Sequence, residues 1–257
     1  MFLVSISGGE MKLYHFSILF MFICLICETS VNPLIAGGPP LVTDDTGTPG
    51  HNKWEINLAY TRTNTIHEKT TDFTVDANYG LGERTQLNLM IPYTYIDNDE
   101  DGKASHIGDI QLATKYRFLD ETDWLFSVSV TPTISLPTDS HRSKPDFFLP
   151  LEFDRNIKNL YVGSQVGYTI HQEKGVNNEL FYGFFGEYPV SEKIDVVGEV
   201  SGFFVNHEKA NSPQFNTGLR YRFSDFLSVM GSAGTSFEEG AVVNQIFLGT
   251  LGIRFNF

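Results

Sequence analysis

Cysteine is almost missing from this 257-residue chain: Cys24 and Cys27 are the only two, and both lie in the first thirty residues. Their C-x-x-C spacing supports redox chemistry only on a folded scaffold near a helix start, and here it sits in an apolar stretch of leader type. A lipoprotein site is equally poor, because Ile26 or Ile23 stands where a small residue is needed. Long apolar runs are also missing after that stretch, and none approaches the roughly 20 residues of a spanning helix. Basic residues are few, 18 against 31 acidic ones, for a formal charge of −13. Nucleic acid, whose phosphates demand a basic surface, is therefore excluded as a partner. Neither G-x-S-x-G nor H-E-x-x-H occurs, which removes the usual signatures of a serine or zinc hydrolase. No cofactor motif and no metal-ligand spacing is found, and the chain does not read as an enzyme.

What is present begins with MKLYHFSILFMFICLIC over residues 11–27, a short positive start followed by an apolar stretch of signal-peptide length. Residues 1–36 are expected to form a leader for export, and Met11 begins a better one than Met1. Residues 37–52, GGPPLVTDDTGTPGHN, are too rich in Gly, Pro, Thr and Asp for a strand or helix. They are expected to be a flexible periplasmic segment, long enough to fold back and partly plug whatever follows.

From Lys53 to Phe257 the chain shows twelve alternating segments, each about as long as a tilted membrane strand. Strand faces alternate with every residue, and here one face is apolar and the other polar. Leu87, Leu89, Ile91, Tyr93 and Tyr95 oppose Gln86, Asn88 and Thr94 in the segment Thr85–Tyr95. Single strands are expected over Gly108–Phe118 and Trp124–Leu136, among others. Tight connections such as Leu81–Glu83 and Ser224–Phe226 take turns with longer polar ones such as Ile96–Ile107 and Pro137–Asp146. Short periplasmic turns alternating with longer outer loops are the rule for outer-membrane barrels. The expected fold is therefore all-β: one antiparallel transmembrane barrel of about twelve strands in the bacterial outer membrane. The last segment ends on an outward Phe257, and Thr250, Gly252, Phe255 and Phe257 resemble the terminal signal read by the bacterial barrel-assembly machinery.

Three stretches, Gly37–Thr61, Asn78–Tyr95 and His106–Phe118, resemble the bacterial outer-membrane family associated with the MetA pathway of phenol degradation. The resemblance implies an outer-membrane barrel of transporter type, sometimes accompanying pathways for aromatic compounds. It carries over no catalytic residue.

Within the barrel, Lys115, Arg117, Arg220, Arg222 and Arg254 fall near the periplasmic ends of their strands on the polar face. Glu55 adjoins Arg254 through barrel closure, and Glu199 faces Arg220 or Arg222 across a hairpin, which gives a lumen network satisfying inward charge. Lys115 and Arg117 have no acidic cross-strand neighbour in this register and are candidates for contact with an anionic solute. Phe148, Phe181, Phe185, Phe203 and Ile246 add apolar surface to the same face. His67, His106, His141, His171 and His207 lie in or beside separate outer loops, which favours solvated histidine over a metal site. The functional expectation is a channel or transporter for small solutes, apolar or aromatic ones included, with outer-membrane lipid around it. The alternatives are a structural or surface-interaction barrel with a filled lumen and, behind it, an outer-membrane lipid hydrolase.

Deleting Phe257 should lower the amount of folded barrel, read by heat-modifiable gel migration, and leave the folded fraction equally active. Normal surface levels after loss of both Phe255 and Phe257 would contradict an assembly role.

Overall fold

The computed structural model describes residues 40–65, 67–99, 102–138, 143–205, 210–211, 213–236 and 246–257. Fifteen strand segments follow one another: β1 (Trp54–Asn64), β2 (Glu68–Gly80), β3 (Thr85–Asn98), β4 (Gly102–Ile107), β5 (Ile110–Leu119), β6 (Ser127–Val130), β7 (Thr133–Leu136), β8 (Asp146–Ile157), β9 (Leu160–His171), β10 (Glu179–Pro189), β11 (Ile194–Val205), β12 (Ala210–Asn211), β13 (Gln214–Arg222), β14 (Leu227–Ser236) and β15 (Ile246–Asn256). β4 and β5 both pair with β3, β6 and β7 both lie between β5 and β8, and β12 and β13 both pair with β11. The result is a closed antiparallel barrel of twelve strands, with no helix among the described residues.

Closure is made by β1 and β15, in register from Glu55 opposite Asn256 to Asn64 opposite Phe247. The seam extends past the ladder, where Trp54 donates its N–H to the Phe257 carbonyl at 2.6 Å and Phe257 returns one to Trp54 at 3.0 Å. Leaving no free edge matters because an unpaired backbone group in hydrocarbon costs several kcal/mol, on the order of a lost hydrogen bond in an apolar medium.

The alternation in sequence is the alternation in space, and it is turned inside out relative to a soluble protein. Leu58, Phe73, Leu89, Leu219 and Leu251 are exposed on the outer wall, while Asn57, Glu152, Glu187, Asp195 and Arg220 are buried inside. The one cluster of buried apolar residues, Leu41, Tyr161, Phe185 and Val197, lies within the lumen.

Two expected strands are corrected in detail. The strand placed at Gly108–Phe118 begins as far back as Gly102, and its ladder is broken near Gly108, which donates to the Pro92 carbonyl instead. The strand placed at Trp124–Leu136 starts at Ser127, because Thr122 and Leu125 close a turn around Trp124. It is then interrupted at Pro132, which has no N–H to give, and the Thr131 carbonyl takes the Thr133 hydroxyl at 3.0 Å. The strand ends that flank the long connections lie at one end of the barrel, hereafter the loop end; the tight turns, Trp54 and Phe257 lie at the other, the turn end.

Leu251 is halfway along β15 and 63% exposed on the outer wall. Leu251→Arg should destabilise the barrel in lipid by about 2–4 kcal/mol, the cost of an arginine near the bilayer midplane, as measured by denaturant unfolding in vesicles.

Candidate functional site

The chain before β1 does not hang free. Followed back from β1, it passes into the lumen at the turn end and lies along the inner wall, so that Thr46, Asp45, Thr43, Leu41 and Pro40 are all buried. With no ladder partner, its backbone polar groups are matched by side chains of the wall. The Glu199 carboxylate accepts the N–H of Val42 at 3.0 Å and that of Thr43. Asp44 N–H donates to Gln165 Oε1 at 3.2 Å, and Thr46 N–H to Asp154 Oδ2 at 2.6 Å. The carbonyls are served in turn: Asn216 and Ser232 both donate to that of Pro40 at 3.0 Å, Lys115 to that of Asp45 at 2.6 Å, and Arg117 to that of Thr46 at 3.3 Å. Two places demand glycine. A Cβ on Gly183 would run into the Thr43 side chain, and one on Gly80 would strike the Gly50 carbonyl where the segment turns out of the lumen with Gly50 at φ 88°.

The charges of the wall sort themselves around this plug. Lys115, 2% exposed, holds the Asp44 carboxylate at 2.8 Å and has Asp45 at 3.9 Å. Burial pushes the Asp45 carboxyl well above the usual carboxylate range; Lys115 opposes this, while Asp44 and Asp154 add to it. By distance, Asp44 is the nearer of the plug's two carboxylates on Lys115. Arg220 pairs with Glu187 at 2.9 Å, Arg222 with Asp195 at 2.8 Å, and Arg254 with Glu55 at 3.5 Å. Arg117 meets Asp120 of the adjoining turn at 3.0 Å.

Several of these placements differ from the sequence expectation. Glu199 does not pair with Arg220 or Arg222: it lies opposite Asn216, whereas Arg220 lies opposite Asp195 and reaches diagonally to Glu187 on β10. Lys115 does have acidic partners, but they come from the plug, and no cross-strand reading could supply them. Arg117's acid comes from a turn. Thr250 points inward, its hydroxyl 3.3 Å from that of Thr61, while Gly252 is buried and Phe257 is 61% exposed at the seam. His171, expected to be solvated, has its Nδ1 3.0 Å from Asp146 Oδ2; His141 and His207 lie outside the described residues, as does the Ile246 side chain. Sequence reasoning missed Glu199, Gln165, Asp154 and Asn216 as the plug's anchors. The available signal was their inward parity without enough inward cations to pair with.

Beside the plug a cavity of about 900 Å³ remains. One side of it is an amide-rich wall, in which Asp76 accepts from Asn57 at 3.0 Å and from Asn78 at 3.1 Å, with Gln86 and Asn88 adjoining. Elsewhere in the lumen, aromatics form a ladder: Phe181 has Phe203 at 5.1 Å and Phe148 at 6.2 Å, and further toward the turn end Tyr161 has Phe185 at 5.6 Å. Phe148 also lines the cavity. The lumen is thus narrowed but not filled, and its surface is part amide and acid, part aromatic.

Comparison with known proteins agrees with this architecture. The family profile described as "Putative MetA-pathway of phenol degradation" matches residues 36–255. Among solved structures, the chain is similar to the COG4313 outer membrane channel from Pseudomonas putida F1, with a TM-score of 0.63, 14% identity and coverage of 88% of this chain and 100% of that one. It is also similar to the NanC porin (TM-score 0.60, 10% identity, 78% of this chain and 98% of that one). The KdgM porin follows (TM-score 0.54, 9% identity, 78% and 99%). No curated protein matches the sequence.

A double-mutant cycle on unfolding should give Arg220 and Glu187 a coupling above about 0.5 kcal/mol, the threshold for direct interaction, and leave Arg220 and Glu199 additive. The reverse pattern would contradict the observed register.

Proposed function

We infer that this chain, which belongs to the family described as the MetA pathway of phenol degradation, is an outer-membrane channel for small solutes, apolar and aromatic compounds among them. The observation that carries the reading is a lumen with room beside its plug: about 900 Å³ bounded by the plug on one side and the wall on the other. A twelve-strand barrel is intermediate between eight-strand barrels filled by side chains and sixteen-strand open porins, so a narrow path is the expected product. Channels and porins of known structure share the fold.

In this reading the turn end faces the periplasm and the loop end the outside, and residues 1–36 are the leader removed on export. The aromatic ladder supports an aromatic or apolar solute, since a ring passing Phe203, Phe181 and Phe148 exchanges one aromatic contact for the next. The amide wall on the other side keeps that path wet enough for a polar substituent. The reading assigns the chain transport, with no reaction.

The plug is the narrowest element, so removing it should open the path. A variant lacking residues 40–49, checked for folding by heat-modifiable migration, should conduct more ions in a planar bilayer and admit larger neutral solutes into proteoliposomes than the full chain. An unchanged, solute-tight barrel in both forms would overturn the channel reading and leave a structural barrel with a closed lumen.

A further inference from the structure

Removing the plug does not affect the lumen charges equally. Arg220, Arg222 and Arg254 keep their carboxylates, Glu187, Asp195 and Glu55, because these belong to the wall. Arg117 keeps Asp120. Lys115 is different: among the described residues both of its ion-pair partners, Asp44 and Asp45, belong to the plug, as does the carbonyl it donates to. Glu152 also acts on Lys115 through space, but its carboxylate is already engaged, accepting from Ser129 Oγ at 2.7 Å and from Gln165 Nε2 at 3.3 Å. Plug release therefore uncovers an ammonium that has lost its closest anion inside a narrow lumen, where charges attract more strongly than in bulk water. Whatever replaces the plug most readily is something that brings a carboxylate to that ammonium.

The plug also shows what stands a few residues from that carboxylate. Leu41 fills a pocket made by Tyr161, Phe185 and Val197, three residues along the chain from Asp44, which spans at most about 10 Å. Two of its walls are rings, Tyr161 and Phe185, with centroids 5.6 Å apart, so the pocket offers aromatic faces to an apolar group. The groove thus has a cation at one end and an aromatic pocket at the other, both occupied by the chain's own lead-in.

We propose that the groove under the plug is a binding site for an aromatic carboxylate, whose acid group takes the place of Asp44 on Lys115 and whose ring takes the place of Leu41 against Tyr161 and Phe185. This deepens the channel reading and rests on it: the plug is the resident competitor of the solute, and an incoming acid lowers the cost of displacing it. A neutral or cationic aromatic of the same shape gains the ring pocket but leaves Lys115 without its anion.

The test uses the folded full chain in detergent and two probes of one skeleton, 3-phenylpropionate and 3-phenylpropionamide, with binding measured by calorimetry. The acid should bind about tenfold tighter than the amide or more, the ratio expected for one hydrogen bond to a charged group. Lys115→Met should erase the difference. Asp44→Asn, which weakens the competitor and leaves Lys115 in place, should tighten both probes by a similar factor and preserve the acid's lead over the amide. Equal binding of the two probes by the unaltered chain, a preference that survives Lys115→Met, or acid affinity left unchanged by Asp44→Asn would each overturn the site. Should Lys115→Met fail to fold, the acid's lead over the amide in the unaltered chain and the tightening of the acid by Asp44→Asn decide together. Flux through the barrel without any preference for the acid leaves the channel reading standing and removes this one. Preferential binding without flux in the variant lacking residues 40–49 does the opposite.

Discussion

A wall that meets hydrocarbon on one side has nowhere to leave a backbone group unpaired, and everything else in this molecule follows from that constraint. It forces the strands to close, which brings Glu55 beside Arg254 and ties Trp54 to Phe257. It also sends every second residue outward as Leu, Val, Phe or Tyr, so the polar half of each strand is committed to the interior. The interior then faces its own version of the same demand. Inward carboxylates and amides must find partners at close quarters, and the pairs Arg220–Glu187 and Arg222–Asp195 answer part of it. Glu199, Asp154 and Gln165 have no cation assigned to them in the wall, and the plug supplies what they need as backbone N–H groups.

The barrel was legible in the sequence because its signal has a period of two and repeats over long stretches. β3 starts where the alternation put it, at Thr85, and runs three residues past the expected end to Asn98, and even the Gly-rich β14 forms, held by partners on both sides. The interruptions at Gly108 and Pro132 were less legible, since a single residue without a side chain or without an N–H can be absorbed by a neighbouring strand or can break its ladder. Of the lumen residues, Phe148, Phe181 and Phe185 were placed correctly inside by parity alone. Their partners were not, because parity fixes a face and says nothing of height. Glu199 and Arg220 share the inner face of adjoining strands, yet the register offsets them by a few residues and Arg220 turns to the next strand instead.

The plug was the least legible part. Residues 40–52 carry no periodicity, and their position is set by seven or eight hydrogen bonds to side chains scattered from β5 to β14. What the sequence did contain was an imbalance: more inward acid than inward base. In a lumen, that surplus is a demand for donors, and a segment of extended chain with its ladder groups unspent is one of the few things that can meet it. The same surplus explains why Lys115 stands apart from the arginines, serving the plug while they serve the wall.

The sharp corner at Gly50 and Gly80 has a consequence for how the lumen behaves toward anything dissolved. Because only a few residues separate Thr46 from β1, the displacement proposed above would take the plug out of its groove without taking it out of its neighbourhood, and it would compete for the groove as a tethered ligand. Short flexible tethers hold such a ligand at an effective concentration on the order of millimolar. A free solute must therefore either reach that range at the barrel mouth or bind the groove more tightly than the plug does, link for link. Under that proposal the tether would act as a threshold: at low solute concentration the path would stay narrowed, and it would widen once the supply outside passed a level written into the length of the chain.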